Sequence, residues 1–423
     1  MKEFLEAFNQ TNIPTRIKVL QGKRFSDVED AAELQYVDLV QEGGGVLGIG
    51  LVGYTHVLEK AGIRFFSLAG TSAGAINTMM LATLGEIQDA KSEAILQILS
   101  QKNLFDLVDG DSSIKKLIQK FIRKESGKMF LLLLNILKIK RIIQTKLGVN
   151  PGNNFTEWIT KELDNVNVKS VGDLNALRKK LPHGLIHVGG QDLTNAQAKL
   201  AIITSDITTH TKVEFPKMAE LYWKEPYNVK PSELVRASMS IPFFFEPFEV
   251  RHIPNDEKNP LPAVHKTYKQ LWDDHASYTG PIPPAVKFVD GGMLSNFPIN
   301  VFHRTDGQPP TRPTFGVRLS TYRDNFVDVK NLMSFSGAMI STMRQIHDYD
   351  FLMRNPDYRA LICRIDADKD FNWLDFEMPQ QDRIKLFIQG ALKAIEFLEC
   401  FDWEKYKETR ASGIKSFSKN PVL

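Results

Sequence analysis

Short apolar runs recur along the chain, each ending abruptly at a cluster of glycine, aspartate or serine. Residues 36–40 lead into EGGGVLGIG, 64–68 into AGTSAG, 185–188 into GGQDLT, 200–204 into SDITT, 286–289 into DGG and 315–319 into STYRD. Each run is of strand length and most are rich in Val, Ile or Phe, which predicts buried strands. Helical periodicity separates several of them: one pattern covers 50–60 and stops at Ala61-Gly62, another covers 73–84 and stops at Gly85. This alternation predicts an α/β fold with a largely parallel sheet, whose functional site lies at the carboxyl ends of the strands. The glycine- and aspartate-rich clusters sit at those ends.

Two stretches break the alternation. Residues 251–284 mix prolines and charges without periodicity and read as a long surface excursion. Residues 114–146 are helical and strongly basic. Toward the carboxyl terminus, 334–349 and 383–401 read as helices, with a strand at 360–365 between them. The apolar FNWLDFEM segment is suited to pack back on the main body, so one integrated domain is expected.

Composition adds bounds. With 423 residues, 43% hydrophobic and 24% charged, the chain suits one large α/β domain with insertions or two ordinary ones. A formal net charge of +3 is too small to imply a nucleic-acid partner. Cys363 and Cys400 both lie in apolar segments and are expected to be buried free thiols, with neither a disulfide framework nor a zinc spacing. Asp366, Asp368 and Asp370 lack the glycine and distal glutamate of a calcium loop and read as turn carboxylates. The start shows no secretory pattern, and the longest apolar runs fall short of the ~20 residues that span a bilayer. A cytoplasmic location is expected, although a signal-less secreted effector would read the same way.

Candidate chemistry gathers at three points. GTSAG, Gly70 to Gly74, follows a strand and opens a helix, the setting of a nucleophile elbow. There Ser72 is lifted above the sheet edge, and the small Gly70 and Gly74 let neighbouring backbone pass closely. The helix N-terminus beyond it, beginning at Ala73, supplies unpaired N–H groups that stabilise negative charge. EGGGVLGIG also lies between a strand and a helix. Its Gly43, Gly44 and Gly45 suit the backbone donors of an oxyanion hole, while Gly43, Gly45 and Gly48 also fit the dinucleotide pattern G-x-G-x-x-G. That second reading wants an acidic residue about 20 positions on, where the chain offers only GIRFFSL, so the oxyanion reading is preferred. The third point is Asp290, which closes AVKFVD before the turn at Gly291-Gly292 and is the better candidate base. None of the nine histidines stands in a recognisable triad setting; His56, on the first helix, and His187, at a strand end, are the two worth following.

Taken in order, these motifs resemble the patatin-like phospholipase family, which pairs a GGGxxG loop, a GxSxG nucleophile and a DG[GA] aspartate. AIITSDITTHTKVEF, VRASMSIPFFFEPFEV and MLSNFPIN are similar to further family segments, and the resemblance runs from about residue 36 to 319. It implies a three-layer α/β/α sandwich: an N-terminal segment at 1–35, a catalytic domain at 36–320 with insertions at about 100–150 and 251–284, and a packed C-terminal part at 321–423. It also implies Ser72 as nucleophile, Asp290 as general base, and Gly43, Gly44, Gly45 and Ala73 at the oxyanion hole, with Gly70, Gly74 and Gly291 supporting the turns. The implied reaction is acyl-ester hydrolysis of phospholipids or other lipids through an acyl-enzyme, with no metal and no organic cofactor. Leu47 departs from the Lys or Arg common in the family, and Glu42 from Asp.

The basic segment points to a partner. Residues 114–146 carry +9 against +3 for the whole chain, from Lys115, Lys116, Lys120, Arg123, Lys124, Lys128, Lys138, Lys140, Arg141 and Lys146 against Glu125. Apolar residues interleave them, which suits peripheral docking on an anionic membrane. An unidentified activator is also compatible with the sequence. The alternatives are a nucleotide-binding protein using the glycine loop, and a catalytically silent membrane- or partner-binding module.

Overall fold

The computed structural model describes all residues except 123–127, 191–192, 194–195, 256–265, 307–309, 322–325, 327, 331, 345 and 420–423. Seven strands carry the main path of a mixed sheet: β1 (Gln35–Gln41), β2 (Ile63–Thr71), β3 (Leu200–Asp206), β4 (Phe248–Arg251), β5 (Ala285–Asp290), β6 (Thr314–Arg318) and β7 (Ile362–Arg364), in the spatial order β7-β6-β1-β2-β3-β5-β4. The five strands from β7 to β3 are parallel, whereas β5 runs antiparallel to both β3 and β4. The central strands are buried along nearly their whole length, which is why they read as continuous apolar runs rather than alternating ones.

Helices cover both faces. α1 (Gly48–Lys60) follows β1, and α2 (Ala73–Thr83) follows β2. α3 (Ser112–Ile122) and α4 (Lys128–Lys146) form the basic insertion, and α5 (Pro231–Ser238) packs beneath β3 and β5. Beyond β6 come α6 (Leu332–Met343), α7 (Ile346–Arg354), α8 (Gln380–Cys400) and α9 (Trp403–Lys419). α8 lies against α1, where Phe387 meets the His56 ring at 5.8 Å and Phe397 meets Tyr54 at 6.4 Å. Phe4, on the first N-terminal helix, meets Phe387 at 5.7 Å. One hydrophobic cluster thus runs from Phe4 through the sheet to Tyr406.

Several expectations are corrected. Residues 185–188 do not form a buried central strand. Ile186–His187 is a two-residue edge pairing with Val28–Glu29, and its Ile186 is exposed, because the chain there only skirts the sheet. Residues 251–284 are not purely a surface excursion. A capping box formed by Thr267 and Gln270 starts a short helix, Tyr268–Ala276, whose Trp272 is fully buried 5.2 Å from Tyr222. The helix expected at 334–349 is two helices meeting near Arg344. Cys363 is buried as expected, but Cys400 is exposed, since it ends α8 on the face turned from the core.

Candidate active site

The elbow is built by steric exclusion. Ser72 has φ 53° and ψ −117°, a strained conformation for a residue with a side chain, between the last residue of β2 and the first of α2. Its neighbours hold it there. A Cβ on Gly70 would lie 2.4 Å from the Gly74 carbonyl oxygen, and one on Gly74 would lie 2.4 Å from the carbonyl of Gln41, so only glycine permits this approach. Ser238, at the end of α5, accepts the Ser72 N–H at 3.0 Å and donates to the Ile203 carbonyl at 2.5 Å. The strained backbone is thereby tied to β3.

Sheet register brings Asp290 to the same level. Thr71 on β2 pairs with Ile203 on β3, and Asp290 on β5 pairs with Thr204. Because β5 is antiparallel, it enters from beyond the rim and ends at Asp290, level with Ser72 and one strand removed from β2. The Asp290 carboxylate is buried and accepts the Gly292 N–H at 2.7 Å, and the Ser72 side chain lies near enough to favour its charged form. Burial pushes its pKa above the ordinary value, while the positive charge of Arg344 and the nearby Ser72 side chain act against that rise.

The glycine loop behaves less uniformly than expected. Gly43 donates its N–H to the Asn296 carbonyl at 3.0 Å and is therefore engaged. Among the described residues no partner takes the N–H of Gly44 or Gly45, nor that of Ala73 at the start of α2. Gly45 has φ 56°, and a Cβ there would meet the Trp373 carbonyl oxygen at 2.2 Å. That carbonyl accepts the Val46 N–H at 3.0 Å. With the Gly43 and Val46 donors occupied and Trp373 lying over the loop, a continuous row of amides for a pyrophosphate is not presented.

A polar frame surrounds these groups. Glu42, buried, accepts from the Leu319 N–H at 2.6 Å, the Ser320 N–H at 2.9 Å and the Ser320 hydroxyl at 2.7 Å, clamping the end of β6 to the loop. The Asn296 amide donates to the Gly43 carbonyl at 3.1 Å and accepts from Arg344 at 2.9 Å. Asp348, on α7, accepts from the Ser295 hydroxyl at 2.6 Å and the Phe297 N–H at 2.8 Å, and burial lifts its pKa to about 6. Beside Ser72 opens a cavity of about 80 Å³ with an apolar lining that includes Leu104, Phe155, Trp158, Met239, Phe245 and Phe376.

The remaining candidates lie elsewhere. His56 is buried beside Phe8 with its ring nitrogen 3.1 Å from Ser92 Oγ, and burial lowers its pKa to about 4. His187 sits on the edge pairing. Among the described residues no group of acidic, histidine and cysteine side chains is arranged to hold a metal. Asp366 pairs with Lys369, and Asp368 accepts from Thr321, so the three aspartates do not converge.

Residues 39–303 match the family model described as patatin-like phospholipase. The chain belongs to that family. It is 28% identical over 370 residues to the uncharacterized protein YqhO of Bacillus subtilis, a match covering 86% of this chain and 98% of that one. Among solved structures it is similar to VipD from Legionella pneumophila, with 14% identity, TM-score 0.40, and 91% and 73% of the two chains covered. It is also similar to human GIVD cytosolic phospholipase A2, with 13% identity, TM-score 0.36, and 75% and 46% covered.

Arg344, Asp348 and Trp373 reach the site from beyond the matched segment. Sequence reasoning missed them, because nothing local marks a residue whose role comes from a contact made far along the chain. Ser238 and Asn296 did carry a signal, since both lie in the segments similar to the family, but their positions named no partner.

Proposed function

We propose that the protein hydrolyses acyl esters of phospholipids or other lipids, with Ser72 as nucleophile and Asp290 as general base. The observation that carries this reading is the Ser72 side chain beside the buried Asp290 carboxylate, at the wall of a mostly apolar cavity. An acyl chain fits the chemistry of that mostly apolar lining, in which Asn77 and Arg383 are the polar side chains besides Ser72.

The steps follow from the groups present. Ser72 Oγ attacks the ester carbonyl carbon as its proton passes to Asp290, and the carbonyl oxygen becomes an oxyanion facing the free N–H groups of Gly44, Gly45 and Ala73. Collapse breaks the bond to the alcohol, which leaves with the proton held by Asp290, and the acyl group stays on Ser72. Water then attacks the acyl-enzyme, losing its proton to Asp290. Release of the fatty acid returns that proton to Ser72. A raised Asp290 pKa suits a base that must accept a proton near neutrality, and Arg344 limits the rise so that the carboxylate stays available.

Peripheral docking on anionic membrane through α3 and α4 belongs to the same proposal. Lys116, Lys140 and Arg141 are exposed, whereas Lys138 is paired with Asp111 at 2.6 Å and Lys146 with Glu246 at 3.3 Å. Arg123 and Lys124 lie outside the described residues, as does the placement of the Lys128 side chain.

A fluorophosphonate probe tests the chemistry. It should label the wild-type protein, label Asp290→Asn far less, and leave Ser72→Ala unlabelled. Free fatty acid should be released from a mixed phospholipid extract by the wild type alone. Labelling that persists in Ser72→Ala, or full turnover in Asp290→Asn, overturns the assignment.

A further inference from the structure

The exposed hydrophobic side chains of this molecule are not scattered evenly. Phe326, Val329, Phe335, Met339 and Met343 fall within one short stretch, with Phe326 91% exposed, Phe335 52% and Met339 50%. Phe335, Met339 and Met343 are spaced four apart on α6 and so share one face. α6 contains no charged residue from Leu332 to Met343. Helices packed on a water-soluble body normally turn such residues inward and present charge outward, and a clustered apolar face left in water marks an interaction surface.

The position of this face names its occupant. Met343 is followed at once by Arg344, whose carbonyl accepts the Asn296 N–H at 3.3 Å and whose guanidinium donates to the Asn296 side chain. The same guanidinium lies 5.9 Å from the Trp373 ring, and Trp373 covers Gly45. The apolar face is therefore continuous with the rim of the site at which a lipid ester would be cleaved. No described helix is long and apolar enough to cross a membrane, so a face of this kind would lie in the interface rather than span it.

We infer that α6, through Phe335 and Met339, inserts into the surface of a phospholipid bilayer and seats the site on its substrate. This rests on the lipid-hydrolase reading for the identity of the surface, and it differs from docking by α3 and α4 in needing no anionic lipid. Methionine and phenylalanine suit the role because they bury apolar area without requiring a fixed partner geometry.

The test is flotation with vesicles of pure phosphatidylcholine in about 0.5 M salt, which screens attraction between charges, alongside hydrolysis of a soluble short-chain ester. Phe335→Asp/Met339→Asp should bind vesicles about tenfold or more weakly, because two carboxylates resist entry into the interface, while soluble-ester hydrolysis stays within about twofold. Should the double variant fold poorly, Phe335→Trp serves instead: its added emission should be quenched by brominated phosphatidylcholine. Undiminished binding by the double variant, or no quenching of the introduced tryptophan, overturns the inference. So does a wild-type dimer that the double variant dissociates without loss of vesicle binding, which would assign the face to a second copy. Absence of soluble-ester hydrolysis in the wild type would instead count against the hydrolase reading, leaving the binding result to stand separately.

Discussion

Polar side chains collect at both ends of the sheet, and the two collections differ in what they leave unpaired. At the amino ends, a cavity of about 210 Å³ is lined by Asp38, Lys199, Arg304, Arg312 and Arg410 among others. There each arginine has a carboxylate: Arg312 meets Asp38 at 2.8 Å, Arg304 meets Asp306 at 2.6 Å and Arg410 meets Asp357 at 3.4 Å. At the carboxyl ends, Glu42, Asn296 and Asp348 are equally well bonded, but they hold the loops flanking a strained serine and amides whose N–H groups meet no described protein partner. Charge satisfied by charge stabilises a fold; donors left over beside a nucleophile make a place for a substrate.

Ser72→Ala set against Arg312→Met probes this contrast most severely. The first should lower ester hydrolysis about a thousandfold or more with an unchanged melting curve. The second should leave kcat/KM for a soluble ester unchanged and cost about 2–4 kcal/mol of stability in a urea titration, because it removes the cation paired with the buried Asp38 and leaves only the Ser67 N–H on that carboxylate. Equal losses of activity in both would erase the distinction. Next in size is Gly45→Ala. The added methyl group collides with the Trp373 carbonyl and forces a positive φ on alanine, so the loop must move and activity should fall about a hundredfold by loss of an oxyanion donor.

Arg344→Gln should have a smaller and pH-dependent effect. Its charge opposes the burial-driven rise of the Asp290 pKa, so removing it should move the acidic limb of kcat to higher pH, whereas Arg344→Lys should largely keep the limb in place. A limb that stays put in the glutamine variant shows that the arginine acts through Asn296 alone. The smallest effect concerns stability. Asp348 binds its proton more tightly folded, at about 6, than at the ordinary 3.8, so between those pH values the native state holds more protons than the unfolded one. Stability from this group is present in full below the lower value and is lost as pH rises through the upper one. The change is at most ~3 kcal/mol, read from urea titrations across that window.

Much of the site was legible because its signals are local. A strand that runs into GTSAG and then into a helix permits few backbone paths, so Ser72 could be placed from neighbours in sequence alone. The same holds for the glycine loop as a whole and for Asp290 at a strand end. Which glycine amides stay free was not legible, since Gly43 is engaged by Asn296, a residue more than two hundred positions away. Nor was the direction of β5. An apolar run has the same pattern read either way, and pairing with β3 decided it.

Where the chain turns from strand to helix, which turns need glycine and which side chains could carry chemistry all follow from the order of residues, because they depend on sterics and burial over a few positions. Long-range packing settled the rest: an antiparallel strand delivers Asp290 to Ser72, Arg344 and Trp373 come back to the rim, and the apolar face of α6 is left uncovered beside it. Those outcomes depend on which distant surfaces meet, and a hydrophobic pattern states that a face is to be buried without stating against what.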